Sequence, residues 1–172
     1  MRFGSIQDGR DTGWTPLMFA VVAKRVDLVE ALLDAGADAS VRFRKGFAQF
    51  GMRKDMPVLH AACATHDCPE IVQLLIARGA DPFKKMPMSQ AGKPVVHQAT
   101  GFGHVGNLDA LHAAGGDKLL TQKDLFGFTL MQSCAYAHEI TRSVDHVLAL
   151  HQRLVLGEHV VDRSGDFVGV GA

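Results

Sequence analysis

The stretch Cys63-Ala-Thr-His66-Asp-Cys68 carries the residue types best suited to chemistry. Cys and His are zinc ligands, and three of them would leave a fourth position open for an activated water. The spacing supplies no fourth ligand and no second matching half. Gly101-Phe-Gly103-His-Val-Gly106 has the G-x-G-x-x-G form of a dinucleotide loop, but no strand precedes it. No nucleophile stands at readable spacing from a base and an orienter, and there is no phosphate loop and no carboxylate pair. The expectation is no catalytic residue, no metal and no cofactor.

The elements that would hold these residues begin at Thr15 to Asp38, TPLMFAVVAKRVDLVEALLDAGAD. Thr15 suits an N-cap and Pro16 the first helical position. Leu17, Met18, Ala20 and Val21 form an apolar side. Asp27 opens a second helix with Leu28, Val29, Leu32 and Leu33 on one face, and Gly36 closes it in a left-handed conformation. Helices this short are marginal alone, so the unit must stack on copies of itself. Pro57 to Asp81 and Pro94 to Asp117 repeat it, and Thr129 starts a degenerate fourth. The starts Thr15, Pro57, Pro94 and Thr129 are 42, 37 and 35 residues apart.

This pattern resembles the ankyrin repeat, with a period of about 33 residues and a T-P-L-H-x-A signature. Thr15-Pro16-Leu17-Met18-Phe19-Ala20 and Val58-Leu59-His60-Ala61-Ala62 carry the resemblance best. It implies an all-α solenoid of stacked helix-turn-helix units with β-hairpin-like fingers. The expected repeats cover about 13–41, 55–85, 92–119 and 127–156, within a domain of 13–156. Residues 1–12 read as an N-terminal cap or the remnant of an earlier repeat, and 157–172 as a flexible tail or linker. The chain is either self-contained or part of something larger.

Alignment of the repeats decides most of the chemistry. Cys63 stands with Val21, Thr100 and Ala135, and Cys134 with Ala20, Ala62 and Ala99, where Cys serves as a small apolar residue. His60 and His97 share one register and read as structural, hydrogen-bonding near the turn. A metal shared between them is disfavoured: stacked helices lie about 8–10 Å apart, while zinc–nitrogen bonds are about 2 Å. Asn107 and His112 align with Ile71 and Ile76, which should face the core. With Gly101, Gly103 and Gly106, they mark repeat three as the expected weakest layer.

The chain has 172 residues, is 47% hydrophobic and is formally neutral, which argues against a disordered polyelectrolyte or a strongly basic nucleic-acid binder. No apolar run approaches the roughly 20 residues of a membrane span. The start MRFGSIQDGRD shows no signal-peptide core, and three irregularly spaced cysteines suggest no disulfide framework. The cytoplasm is the expected compartment, with the nucleus as alternative.

Against this neutrality stands an inserted finger, 42–54. Arg42, Arg44, Lys45, Arg53 and Lys54 oppose only Asp55, and Phe43, Phe47 and Phe50 interleave with them. It reads as a surface hairpin with its Phe residues packed back, or as a contact finger for an acidic partner. The resemblance implies a non-catalytic scaffold or adaptor that binds a protein segment on the concave face of fingers and first helices. The alternative is a regulatory or substrate-recruiting region of a larger enzyme or channel. Carried over by alignment, the partner-binding residues are Trp14, Val22, Arg53, Lys54, Met56, Thr65, Lys93, Phe102, Phe126, Phe128 and Tyr136. The expected partner is a protein segment with acidic and apolar residues. Nucleic acid is disfavoured.

Overall fold

The computed structural model describes residues 13–46, 52–130, 132 and 148–149. Expectations for residues 1–12, for most of the fourth repeat with Cys134 and Tyr136, for Phe47 and Phe50, and for the tail lie outside the described residues.

Among the described residues three helix pairs stack in order. The first is α1, Pro16–Val22, with α2, Val26–Asp34. Thr15 caps α1: its Oγ1 accepts from the Met18 amide at 3.4 Å, and Pro16 holds the first helical position. A hairpin follows, in which β1, Arg42–Phe43, pairs antiparallel with β2, Met56–Pro57. The second pair is α3, Val58–Thr65, and α4, Pro69–Ala77, with Pro69 at the first turn. The third is α5, Val95–Gly101, and α6, Val105–Gly115, followed by the one-turn α7, Asp117–Leu120. Helix α3 packs between α1 and α5, and α4 between α2 and α6, so the molecule has an inner and an outer helical layer.

The repeated Gly-Ala-Asp has a visible purpose. Gly36 and Gly79 sit at φ +88° and +97°, where a Cβ would be strained. The aspartate then turns the chain into the next finger: Asp38 Oδ1 accepts from the Ser40 amide and Asp81 Oδ1 from the Phe83 amide, both at 2.8 Å. The third ending departs from this plan. Gly116 has φ +60°, and Asp117 opens α7 instead of a finger turn. There α7 buries Leu119 and Leu120.

The helix faces differ in detail from the expected pattern. Val29 and Leu33 of α2 are buried, while Leu28 is exposed and Leu32 half-buried. A helix packed on one neighbouring layer buries a narrower stripe than one packed on two. His112 does not enter the core. It is half-buried, with Nε2 3.0 Å from Asp117 Oδ1. Asn107 does enter, with its amide oxygen and nitrogen each hydrogen-bonded.

Candidate interaction surface

The inner layer fixes the fingers through two histidines. His60 Nε2 lies 3.2 Å from the Lys93 carbonyl, and His97 Nε2 lies 3.2 Å from the Gln122 carbonyl. A carbonyl only accepts, so in each neutral ring Nε2 carries the proton and donates. Each histidine thus holds the base of the finger that follows. Burial disfavours the charged ring and lowers the His60 pKa from 6.5 to about 4, against the raising effect of its Lys93 bond. Burial likewise lowers that of His97, opposed by the Gln122 bond and Asp124. His60 Nδ1 is buried with no hydrogen-bond partner among the described residues.

The opposite edge of the layers is tied by the turns between paired helices. His66 Nε2 lies 3.0 Å from the Val22 carbonyl, and His104 Nδ1 lies 2.8 Å from the Cys63 carbonyl. Asp67 caps α6 of the next layer, accepting from the Gly106 and Asn107 amides at 3.2 and 2.9 Å. Asn107 answers in the other direction. Its Oδ1 accepts from the Cys68 amide at 2.9 Å and its Nδ2 donates to the His66 carbonyl at 2.7 Å. Gly106 belongs to this clasp, since a Cβ there would stand 3.0 Å from Asp67 Oδ1.

The Cys63–His66–Cys68 stretch is therefore divided among three tasks. Cys63 is wholly buried, and burial pushes its thiol up. His66 faces Val22, and the Cys68 thiol lies 3.3 Å from Glu70 Oε2. No cluster of three or more potential metal ligands forms among the described residues. Gly101 ends α5, and Phe102 to Gly106 form the α5–α6 turn and the start of α6.

The fingers join into one ledge. Gln90 Nε2 donates to the Lys54 carbonyl, linking the second finger to the first. The Leu125 amide donates to the Ala91 carbonyl at 2.9 Å, linking the third to the second. Lys85 Nζ reaches the Lys123 carbonyl at 2.6 Å. Along this ledge Met88 is 74% exposed, Phe126 70% and Leu125 50%. Exposed apolar groups this close together mark contact surfaces more often than single ones do.

Charge follows the architecture. Fingers 42–57, 82–93 and 121–129 contain Arg42, Arg44, Lys45, Arg53, Lys54, Lys84, Lys85, Lys93 and Lys123, against Asp55 and Asp124. Asp124 is turned into its own loop, where Oδ1 accepts from the Phe126 and Phe128 amides. Helices α2, α4 and α6 carry Asp27, Glu30, Asp34, Glu70 and Asp109 and no Lys or Arg. A formal net charge of zero thus hides a basic finger edge and outer helices that carry only acids, two of which, Asp27 and Asp34, pair with Arg25 and Arg78 at the helix ends.

The ankyrin repeat family matches residues 12–43 and 55–86, covering the first two helix pairs with their turns. The chain is an ankyrin repeat protein. Similar relatives carry the name ankyrin repeat, SAM and basic leucine zipper domain-containing protein 1. The Homo sapiens protein is 37% identical over 82 residues, covering 45% of this chain and 15% of its own length. That of Nomascus leucogenys is 39% identical over 74 residues, covering 41% and 14%. That of Notamacropus eugenii is 38% identical over 82 residues, covering 45% and 15%. The chain therefore spans about one seventh of the length of these relatives. Ankyrin repeats are in general protein–protein interaction modules, and the family and relatives' names point to interaction proteins rather than enzymes. Among the described residues no helix is long and apolar enough to cross a membrane.

The ankyrin scaffold scatters the expected contact residues. Arg53, Lys54, Lys93 and Phe126 are exposed on the finger edge, and Phe128 is half-buried beside Phe126 at a ring separation of 6.5 Å. Phe102 is exposed at the far end of α5, its ring stacked over His104 at 6.0 Å. Val22 and Thr65 are half-buried, and the Thr65 hydroxyl donates to the Ala61 carbonyl. Two residues are corrected. Trp14 is only 8% exposed, packed 4.9 Å from both Phe43 and Phe19, so it anchors the finger base rather than a partner. Met56 pairs in β2 and is buried. Both precede an inner helix. Met88, Leu125, Lys84, Lys85 and Lys123 were not singled out. The acid-free run Phe83 to Lys93, FKKMPMSQAGK, was the available signal.

Proposed function

We propose that the chain is a non-catalytic interaction module that binds an acidic, apolar protein segment across the finger ledge. The observation that supports this most is the segregation of charge. The fingers hold nine Lys or Arg against Asp55 and Asp124, and they carry exposed Met88, Leu125 and Phe126. Helices α2, α4 and α6 hold five Asp or Glu and no Lys or Arg, with Asp27 and Asp34 pairing with Arg25 and Arg78 outside those helices. Arg53, Lys54, Lys93 and Lys123 form no ion pair with any described residue. A segment carrying carboxylates would be steered to them and held by apolar contact. The relatives' name joins ankyrin repeats to SAM and basic leucine zipper domains, which favours a second reading: recruitment on behalf of a larger protein, an enzyme or channel among the candidates.

Panning a displayed peptide library against the chain tests the first reading. Recovered peptides should combine Asp or Glu with apolar residues, and their binding should weaken with salt. Reversing Arg53 and Lys54 to Glu should slow association about tenfold and flatten its salt dependence. Phe126→Ala should speed dissociation, with a loss of about 2 kcal/mol. Recovery of basic peptides, or indifference to all three changes, would overturn the proposal.

A further inference from the structure

The ledge carries an oxidisable side chain on its outer surface. Of the described methionines, Met18, Met52, Met56 and Met86 are 1–5% exposed, while Met88 is 74% exposed. Met88 opens a short 3-10 turn, Met88–Gln90, that the finger holds in place. The Pro87 carbonyl accepts from the Gln90 and Gly92 amides at 2.8 and 3.2 Å, and the Met88 carbonyl from the Ala91 amide at 3.1 Å. The Gln90 side chain ties the turn to the Lys54 carbonyl of the finger before. The exposure of Met88 is thus built into a hydrogen-bonded turn. Met86, two residues earlier, is turned inward, and its amide donates to the Lys93 carbonyl at 2.9 Å.

We propose that Met88 is a site of reversible oxidation that weakens partner binding at the ledge. The proposal rests on the reading of the ledge as the interaction surface. The oxidant is a hydroperoxide. A lone pair of the Met88 sulfur attacks the outer peroxide oxygen, so that an S–O bond forms as the O–O bond breaks. The proton of the outer oxygen passes through solvent to the departing oxygen. Sulfur loses two electrons and the peroxide gains them, leaving an alcohol, or water where the oxidant is hydrogen peroxide. The product is the polar sulfoxide, which methionine sulfoxide reductases return to the thioether. Selectivity comes from access, because the core encloses the other four sulfurs. The effect comes from position. Met88 shares its finger with Lys84, Lys85 and Lys93, so a segment drawn to those charges lays its apolar groups on the thioether. A side chain so largely in water contributes little to the core, so the oxidised chain stays folded and the change falls on binding.

The test exposes the full chain to hydrogen peroxide and follows each methionine by mass spectrometry, with fragment ions separating Met86 from Met88. Met88 should oxidise at least about tenfold faster than Met18, Met52, Met56 and Met86, with thermal unfolding unchanged. Equal rates for Met86 and Met88 overturn the site, and that result needs no partner. Binding is read with an acidic, apolar peptide selected from the library on the unoxidised chain. Its affinity should fall about tenfold when Met88 is oxidised and recover after treatment with sulfoxide reductases of both epimer specificities. Bound peptide should slow the oxidation of Met88. The Met88→Leu variant should bind the peptide and keep its affinity after the same peroxide treatment. Unchanged affinity of the chain oxidised at Met88 overturns the switch, as does an equal loss in peroxide-treated Met88→Leu. A library that yields no acidic, apolar peptide overturns the ledge reading and the switch together, while the oxidation rates still decide whether Met88 is a modification site.

Discussion

Replacing Asn107 with isoleucine should lower stability by about 2–4 kcal/mol. Aligned with Ile71, Asn107 reads as a flaw in the core that an aliphatic side chain would repair. The structure reverses that reading. Asn107 is 0% exposed, and its amide serves the Cys68 amide and the His66 carbonyl, both from the layer before. Isoleucine fills similar space but leaves both backbone groups without their partner, and each buried unsatisfied group costs about 1–3 kcal/mol. Asp67→Ala should add to the damage less than its own effect alone, because Asp67 caps the Asn107 and Gly106 amides in the same clasp. Chemical denaturation of the two single variants and the double variant measures this. A stabilising Asn107→Ile would show that the clasp contributes nothing. With Asn107 satisfied and Gly106 needed for Asp67, two of the reasons for ranking the third layer weakest disappear.

Stability should also fall by about 3 kcal/mol between pH 7 and pH 4 through His60. Its folded-state pKa is held near 4 by burial, while the unfolded ring titrates at the ordinary 6.5. The unfolded chain therefore binds a proton across that window and the folded one does not. The contribution of neutral His60 is fully present above pH 6.5 and is lost as pH falls toward 4. His97, lowered in the same direction, adds to the loss. The geometry agrees with the sign: a second proton would fall on Nδ1, which is buried and lacks an acceptor among the described residues. His60→Gln can still donate to the Lys93 carbonyl but does not titrate. Its stability should be lower at pH 7 and clearly less dependent on pH. A variant with the same acid slope as the unaltered chain would assign that slope to other groups.

The repeat plan was legible because its signals are local. Thr15 as cap, Pro16 and Pro69 in first turns and Gly36 and Gly79 in left-handed turns follow from backbone chemistry alone. His60 and His97 as structural residues came from the family resemblance, and their acceptors are carbonyls of the following finger. What resisted reading was local sequence whose meaning is set by the next layer. Asn107 is polar where its alignment partner is aliphatic, and only the approach of Cys68 and His66 explains it. Trp14 precedes the first helix at a position expected to face a partner, yet Phe19 and Phe43 enclose it. The basic ledge was half visible. Its inserted finger stood out by charge density, while Lys84, Lys85 and Lys93 were diluted by the apolar residues around them. The contacts from Gln90 to Lys54 and from Leu125 to Ala91 join these fingers, and neither has a signature in sequence.

Hydrogen exchange with and without a selected acidic, apolar peptide tests the central claim most directly. Backbone amides respond to occupancy wherever the segment lies, without prior choice of a variant. Binding to the ledge should protect residues 84–93 and 122–127 and leave the outer helices Val26–Asp34, Pro69–Ala77 and Val105–Gly115 unchanged. Protection of those three helices with unchanged exchange in the fingers would place the partner on the acidic face and contradict the account.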